Sequence, residues 1–141
     1  MNPEIKKKWL EALKSGRYKR VKGQLKHREG ETVKHCCLGV LCELHHEMTG
    51  EGNWDNNSME GYFSKTNSID NSALVLPAIV RDWAGLDSQN ALFVLDDDEL
   101  REKARKMSND YILTEASLTE INDLSEEKDF SDVIPFIEKL F

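Results

Sequence analysis

The residues best suited to chemistry in this 141-residue chain crowd into one stretch, "VKHCCLGVLCELHHE" at 33–47. It holds all three cysteines and three of the four histidines. Thiolate and imidazole together suit zinc, which wants about four such ligands in tetrahedral reach. On a helix, Cys42 would share a face with His45 or His46, three and four residues on. Against a metal, Cys36 and Cys37 are adjacent rather than spaced as C-x2-C, and no second cysteine pair follows. Helical phase also sets Cys37 on one stripe with Leu41 and Leu44, and an unpaired cysteine behaves as a small hydrophobe. The expectation is a buried helix, with no metal and no cofactor.

Other chemistry-bearing types point elsewhere. Asp96-Asp97-Asp98-Glu99 lacks the alternating ligands and central glycine of a calcium loop and reads as an acidic helix start. No glycine-rich phosphate loop, nucleophile elbow or H-E-x-x-H pattern occurs, so no catalytic residue is assigned. Two features are left that core packing explains least. Arg17, Tyr18, Arg20 and Lys22, with Lys19 alongside, set an aromatic ring among cations, which suits a base and a phosphate. Asn122-Asp123 is the second candidate ligand-binding pair. A solvated strand face and the polar end of a short helix are the competing readings of the two.

Charge limits the partners. Net charge is −7, yet residues 1–34 carry eleven Lys/Arg against four Asp/Glu, and the rest carry eight against twenty-two. So much acid repels nucleic acid in general. The basic segment suits one compact anion, an acidic face of a partner protein, or a second copy in a homodimer. The longest apolar run, "CCLGVLC", is seven residues, against about 20 for a membrane span. The N-terminus lacks the apolar stretch of a signal peptide, and three cysteines make no disulfide framework. A cytoplasmic protein is expected.

The elements that must position these residues read as follows. Asn2-Pro3-Glu4 caps a helix bearing Ile5, Trp9, Leu10 and Leu13 on one face, which Ser15-Gly16 ends. A hairpin follows, Tyr18–Leu25 and Thr32–Cys36 about Glu29-Gly30, with Tyr18, Arg20 and Lys22 on its solvent side and Val21, Gly23 and Leu25 on the other. A central helix spans about Cys37 to Met48, apolar around most of its circumference. Gly39 within it marks a close neighbour. Short strands are expected at "GYFSK", "SALVL", "ALFVL" and "YIL", with "GEGNWDNNS" a polar loop. Helices are expected from Pro77 to Gly85, after "DDDE", from a Ser117–Glu120 capping box, and after Ser131 with Val133, Ile134, Ile137 and Leu140 buried. At 141 residues this is one domain of α+β class. A small, mostly antiparallel sheet packs against the central helix and several short helices.

The order W-x3-L-x-S-G-x-Y, C-C-L-G-V-L-C, L-P…W-x-G-L and L-x-x-I-N-D resembles a family of small proteins of tailed phages and prophages. It rests on Trp9, Leu13, Ser15, Gly16, Tyr18, Gly23, Cys36–Cys42, Leu76-Pro77, Trp83, Gly85-Leu86, Asn122-Asp123 and Phe130, with 96–110 an added acidic helix. The resemblance implies a phage accessory protein in an infected bacterial cell. The function expected there is sequestration of a small anionic, nucleotide-type host molecule in counter-defence. The alternatives are a host-protein-binding inhibitor, or an enzyme degrading a host nucleotide signal.

Overall fold

A computed structural model describes residues 1–55, 59–64, 67–111 and 113–141. In chain order the elements are α1 (Pro3–Lys14), β1 (Lys19–Arg20), β2 (Lys26–Glu29), β3 (Thr32–His35), α2 (Cys37–Thr49), β4 (Asn53–Trp54), β5 (Met59–Glu60) and β6 (Tyr62–Ser64). Then come β7 (Asn67–Ser72), α3 (Ala78–Ala84), β8 (Leu92–Val94), α4 (Asp98–Met107), β9 (Glu115–Ser117), α5 (Leu118–Leu124) and α6 (Ile134–Leu140). The fold is α+β, but its strands form three small sheets rather than one, ordered β1-β3-β2-β5, β4-β6-β7 and β8-β9. Pairing among the described residues is antiparallel except between β1 and β3. No helix among them is long and apolar enough to cross a membrane.

Local signals place most helices. The Asn2 side chain accepts from the Glu4 and Ile5 amides, Pro77 and Gly85 bracket α3, and Ser117 and Glu120 form the capping box of α5. The hairpin differs from its reading. Gly23, at φ +76°, bends the chain out of the extended conformation, so 18–25 is not one strand. Only Lys19–Arg20 lies beside β3, and the true hairpin strand begins at Lys26. The register also reverses which side faces out. Arg20 pairs with His35 and shares the inward side with it, whereas Lys19 pairs with Lys34 and shares the outward side with it and His27. "SALVL" is not a strand beyond Ser72, since β7 ends there and residues 73–75 bend. Lys65 of "GYFSK", Ile112 of "YIL" and residues 56–58 of the polar loop lie outside the described residues. In the last helix Phe136 takes a fully buried place beside Val133 and Ile137, while Ile134 and Leu140 are only partly buried.

The centre of the core is α2. Cys37, Leu38, Val40, Leu41 and Cys42 are all fully buried. Trp9 on α1, also fully buried, donates its indole N–H to the Cys37 carbonyl at 2.9 Å. The Leu25 carbonyl accepts from the Cys36 amide at 3.0 Å and lies directly over Gly39, where a Cβ would sit 1.9 Å from it. The glycine read as a sign of close packing is therefore the place where backbone meets helix. Gly39→Ala should lose about 3 kcal/mol or more, at the upper end of overpacking penalties. Urea denaturation of the variant would measure the loss, and an unchanged midpoint would show that the contact relaxes freely.

Candidate functional site

The two features singled out from the sequence meet in space. Arg20 reaches across to the end of α5 and the loop after it. Its Nε donates to Glu127 O at 2.9 Å, Nη1 to Asn122 O at 2.5 Å, and Nη2 to Ser125 O at 2.8 Å and also to Glu127 O. A guanidinium here satisfies carbonyls that the helix end leaves open and complements its partial negative charge. Asn122, fully buried, donates to Val21 O at 2.8 Å and accepts from the Cys37 amide at 3.2 Å. Asp123 Oδ1 accepts from Gly23 N at 2.9 Å and from the Asn122 amide at 3.2 Å. Arg20 and Asn122 thus tie the β1 segment to α5 and the start of α2. The expectation of Arg20 on a solvent-side strand face is corrected, because its donors are engaged by backbone oxygens.

Lys22 lies close to this junction, 3.6 Å from Glu126. Arg17 and Tyr18 lie apart from it. Arg17 pairs with Glu47 at 3.0 Å and sits 5.3 Å from the Tyr18 ring centre, and that ring meets His35 edge-on at 5.2 Å. The structure therefore groups Arg20, Lys22, Asn122 and Asp123, and separates Arg17 and Tyr18 from them.

The cysteine stretch is core. Cys36, Cys37 and Cys42 are free and buried. Burial pushes the Cys36 thiol up to about 12, and the other two well above the ordinary thiol range. Protonated, enclosed thiols are poor nucleophiles and poor ligands. Among the described residues no three His, Cys, Asp or Glu side chains gather as a metal would need. His45, which helical phase set on a face with Cys42, is buried among Tyr62 and Trp83, and burial lowers its pKa.

Sequence reasoning missed a buried ionic cluster beneath the first sheet. Glu43 on α2 accepts from His35 Nε2 at 2.8 Å and from Lys26 Nζ at 3.2 Å, and Lys26 lies 4.7 Å from the Trp54 ring centre. Burial alone would raise the Glu43 carboxyl, but the His35 hydrogen bond and the Lys26 charge outweigh it and hold it at about 2. The signal was present: Glu43 is the one charged residue in an otherwise apolar run from Cys36 to Leu44. A lone acid there implies a buried cation.

The cavity geometry returns to Asp123. A cavity of about 480 Å³ lies between α4 and the end of α5, lined by Lys103, Lys106 and Asn109 on one side and Asp123, Glu126 and Asp132 on the other. A second, of about 450 Å³, is lined by Asn90, Thr119 and Glu120 and shares Asp123 and Leu124 with the first. Asp123 thus borders both. Its Oδ1 is anchored, and its Oδ2 accepts no hydrogen bond among the described residues. Lys103 donates to Asp132 at 2.8 Å, and Lys106 makes no ion pair among the described residues.

A family model described as "Domain of unknown function (DUF8296)" matches residues 1–141. No curated protein and no solved structure matches the chain.

Two outcomes follow from the junction and the cluster. Arg20→Lys keeps the charge but loses the planar fork, so it should cost roughly 2 kcal/mol, read as a lower midpoint in urea; full retention of stability would show the clamp to be idle. Glu43 titrates near 4.5 when unfolded and at about 2 when folded, so the unfolded chain binds the extra proton. Its contribution is complete above the unfolded value and is lost as pH falls toward 2. Glu43→Gln should flatten this acid limb of stability against pH, and a limb of unchanged steepness would place the acid sensitivity elsewhere.

Proposed function

We propose that the chain, which belongs to the DUF8296 family, is a non-catalytic binding protein for a small anionic molecule of the nucleotide type. The observation that carries this reading is the cavity of about 480 Å³ between α4 and α5, where Lys106, in no ion pair among the described residues, stands across from half-anchored Asp123. Its volume falls in the range of small-molecule sites, about 300–1,000 Å³. Lys106 can take a phosphate oxygen, and the uncommitted Asp123 oxygen can accept from a base N–H or a sugar hydroxyl. Lys22 can join them by leaving Glu126, which is 91% exposed at its side chain; such surface pairs hold by about 0–1 kcal/mol.

Binding rather than turnover is favoured by how the polar groups are held. Lys103 and Asp132 neutralise each other, and the Lys103 and Ser125 hydrogen bonds keep the Asp132 carboxyl below its usual range although burial opposes this. The thiols are enclosed in the core. The resemblance of the Cys36–Cys42 block to tailed-phage proteins supports the setting: a phage accessory protein in the cytoplasm of an infected cell, sequestering a host nucleotide signal.

Calorimetric titration with AMP, ADP, a cyclic dinucleotide and inorganic phosphate tests the reading. At least one nucleotide should bind at one per chain. Lys106→Glu should weaken it roughly ten- to a hundredfold, matching about 1.5–3 kcal/mol for a charge-assisted hydrogen bond. Asp123→Asn should weaken it less. No binding by any of the four, equal affinity in Lys106→Glu, or conversion of the nucleotide to a product would each overturn the proposal.

A further inference from the structure

The free edge of the β8–β9 pair carries features that the small-molecule reading does not use. Leu118 N donates to Ala91 O at 3.1 Å and Leu95 N to Thr114 O at 2.8 Å, with Phe93 paired to Ala116 between them. In an antiparallel ladder, alternate residues direct their N–H and C=O to opposite sides. The backbone groups of Leu92 and Val94 therefore point away from β9. Ser88 Oγ takes the Leu92 N–H at 2.7 Å. The Leu92 carbonyl and both groups of Val94 meet no backbone partner among the described residues.

The side chains at this edge are unusual in the same direction. Leu92 is 54% exposed and Val94 63%, while Phe93 between them packs on Phe136 and Phe141. Exposed edges are ordinarily blunted by lysine, proline, a bulge or a covering element; β8 reads Leu-Phe-Val. Alongside it runs a cavity of about 310 Å³ lined by Leu86, Leu140 and Phe141, with Asp87 and Asp96 at its margins and no lysine or arginine. A two-stranded sheet is also the least stable sheet and gains most from a third strand.

We propose that β8 is a docking edge for an extended segment of a partner protein, one that alternates apolar and basic residues. The segment adds as a third strand in hydrogen-bond register with Val94, sets an apolar side chain into the cavity beside Phe141, and faces Asp87 and Asp96 with lysine or arginine. Strand addition of this kind draws affinity from the main chain and selectivity from alternate side chains. Charge decides against a second copy as the occupant. Two such edges, each flanked by Asp87 and Asp96, would meet with like charges adjacent. The inference stands independently of nucleotide binding.

The probe is a fluorescein-labelled eight-residue peptide of alternating lysine and valine, with its glutamate–valine counterpart as control, followed by fluorescence anisotropy. The lysine peptide should bind, the glutamate peptide should not, and the Val94 amide should become protected from hydrogen exchange. Val94→Pro removes the outward N–H at a position where an edge strand tolerates proline and should abolish binding. Should that variant unfold, the pair Asp87→Lys with Asp96→Lys keeps the backbone and should weaken binding tenfold or more. The proposal is overturned if the lysine peptide fails to bind, if neither variant changes its affinity, or if the Val94 amide exchanges as before. It is overturned equally if light scattering finds a dimer that Val94→Pro dissolves, which would make a second copy the occupant.

Discussion

A helix buried on nearly every side must find partners for its terminal N–H groups inside the protein, and α2 meets this constraint through Asn122. The carboxamide lies between the Cys37 amide at the helix start and the Val21 carbonyl. Cys36 helps from the other side, its sulfur accepting from the Gly39 amide at 3.4 Å. Removing these partners would strand polar groups in the core at about 1–3 kcal/mol each. The segment around β1, the Gly23 bend, α5 and the loop gripped by Arg20 are held where they are by this requirement. The Asn-Asp pair that looked like a ligand site is half structural for the same reason: Asn122 is committed, and Asp123 keeps one oxygen for other uses.

The charge split along the chain has an internal role as well. Cations of the first 34 residues reach the acidic remainder of the same molecule: Lys14 to Glu138, Arg17 to Glu47, Lys22 to Glu126, Lys26 to Glu43 and Arg28 to Glu60. Most of these are exposed and individually weak. The Lys26–Glu43–His35 group is enclosed and ties the first sheet to α2, where losing one member would leave a buried charge. The outward side of the sheet differs, with Lys19, Lys34 and His27 in a row and no ion pair to any of them among the described residues. Part of the charge asymmetry is thus met within one chain. What it leaves open is local: a lysine facing the α4–α5 cavity, and an acidic margin beside β8.

Sequence by itself determined the elements whose signals are local. The Asn2 cap, the Pro77–Gly85 helix, the Ser117–Glu120 capping box and the buried phase of the cysteines follow from contacts within a few residues. Gly39 likewise announced a close neighbour without naming it. Tertiary structure alone decided that the neighbour is the Leu25 carbonyl, that Arg20 turns inward, and that Lys26, His35 and Glu43 share one enclosed site. A two-residue strand has no periodicity to read, and its facing is set by parallel pairing with β3. The α4–α5 cavity joins residues 103–132, with Lys22 3.6 Å from Glu126 of its lining, a juxtaposition that depends on where α5 is anchored. That anchor is a hydrogen bond between residues 85 positions apart, which pattern and propensity along the chain do not encode.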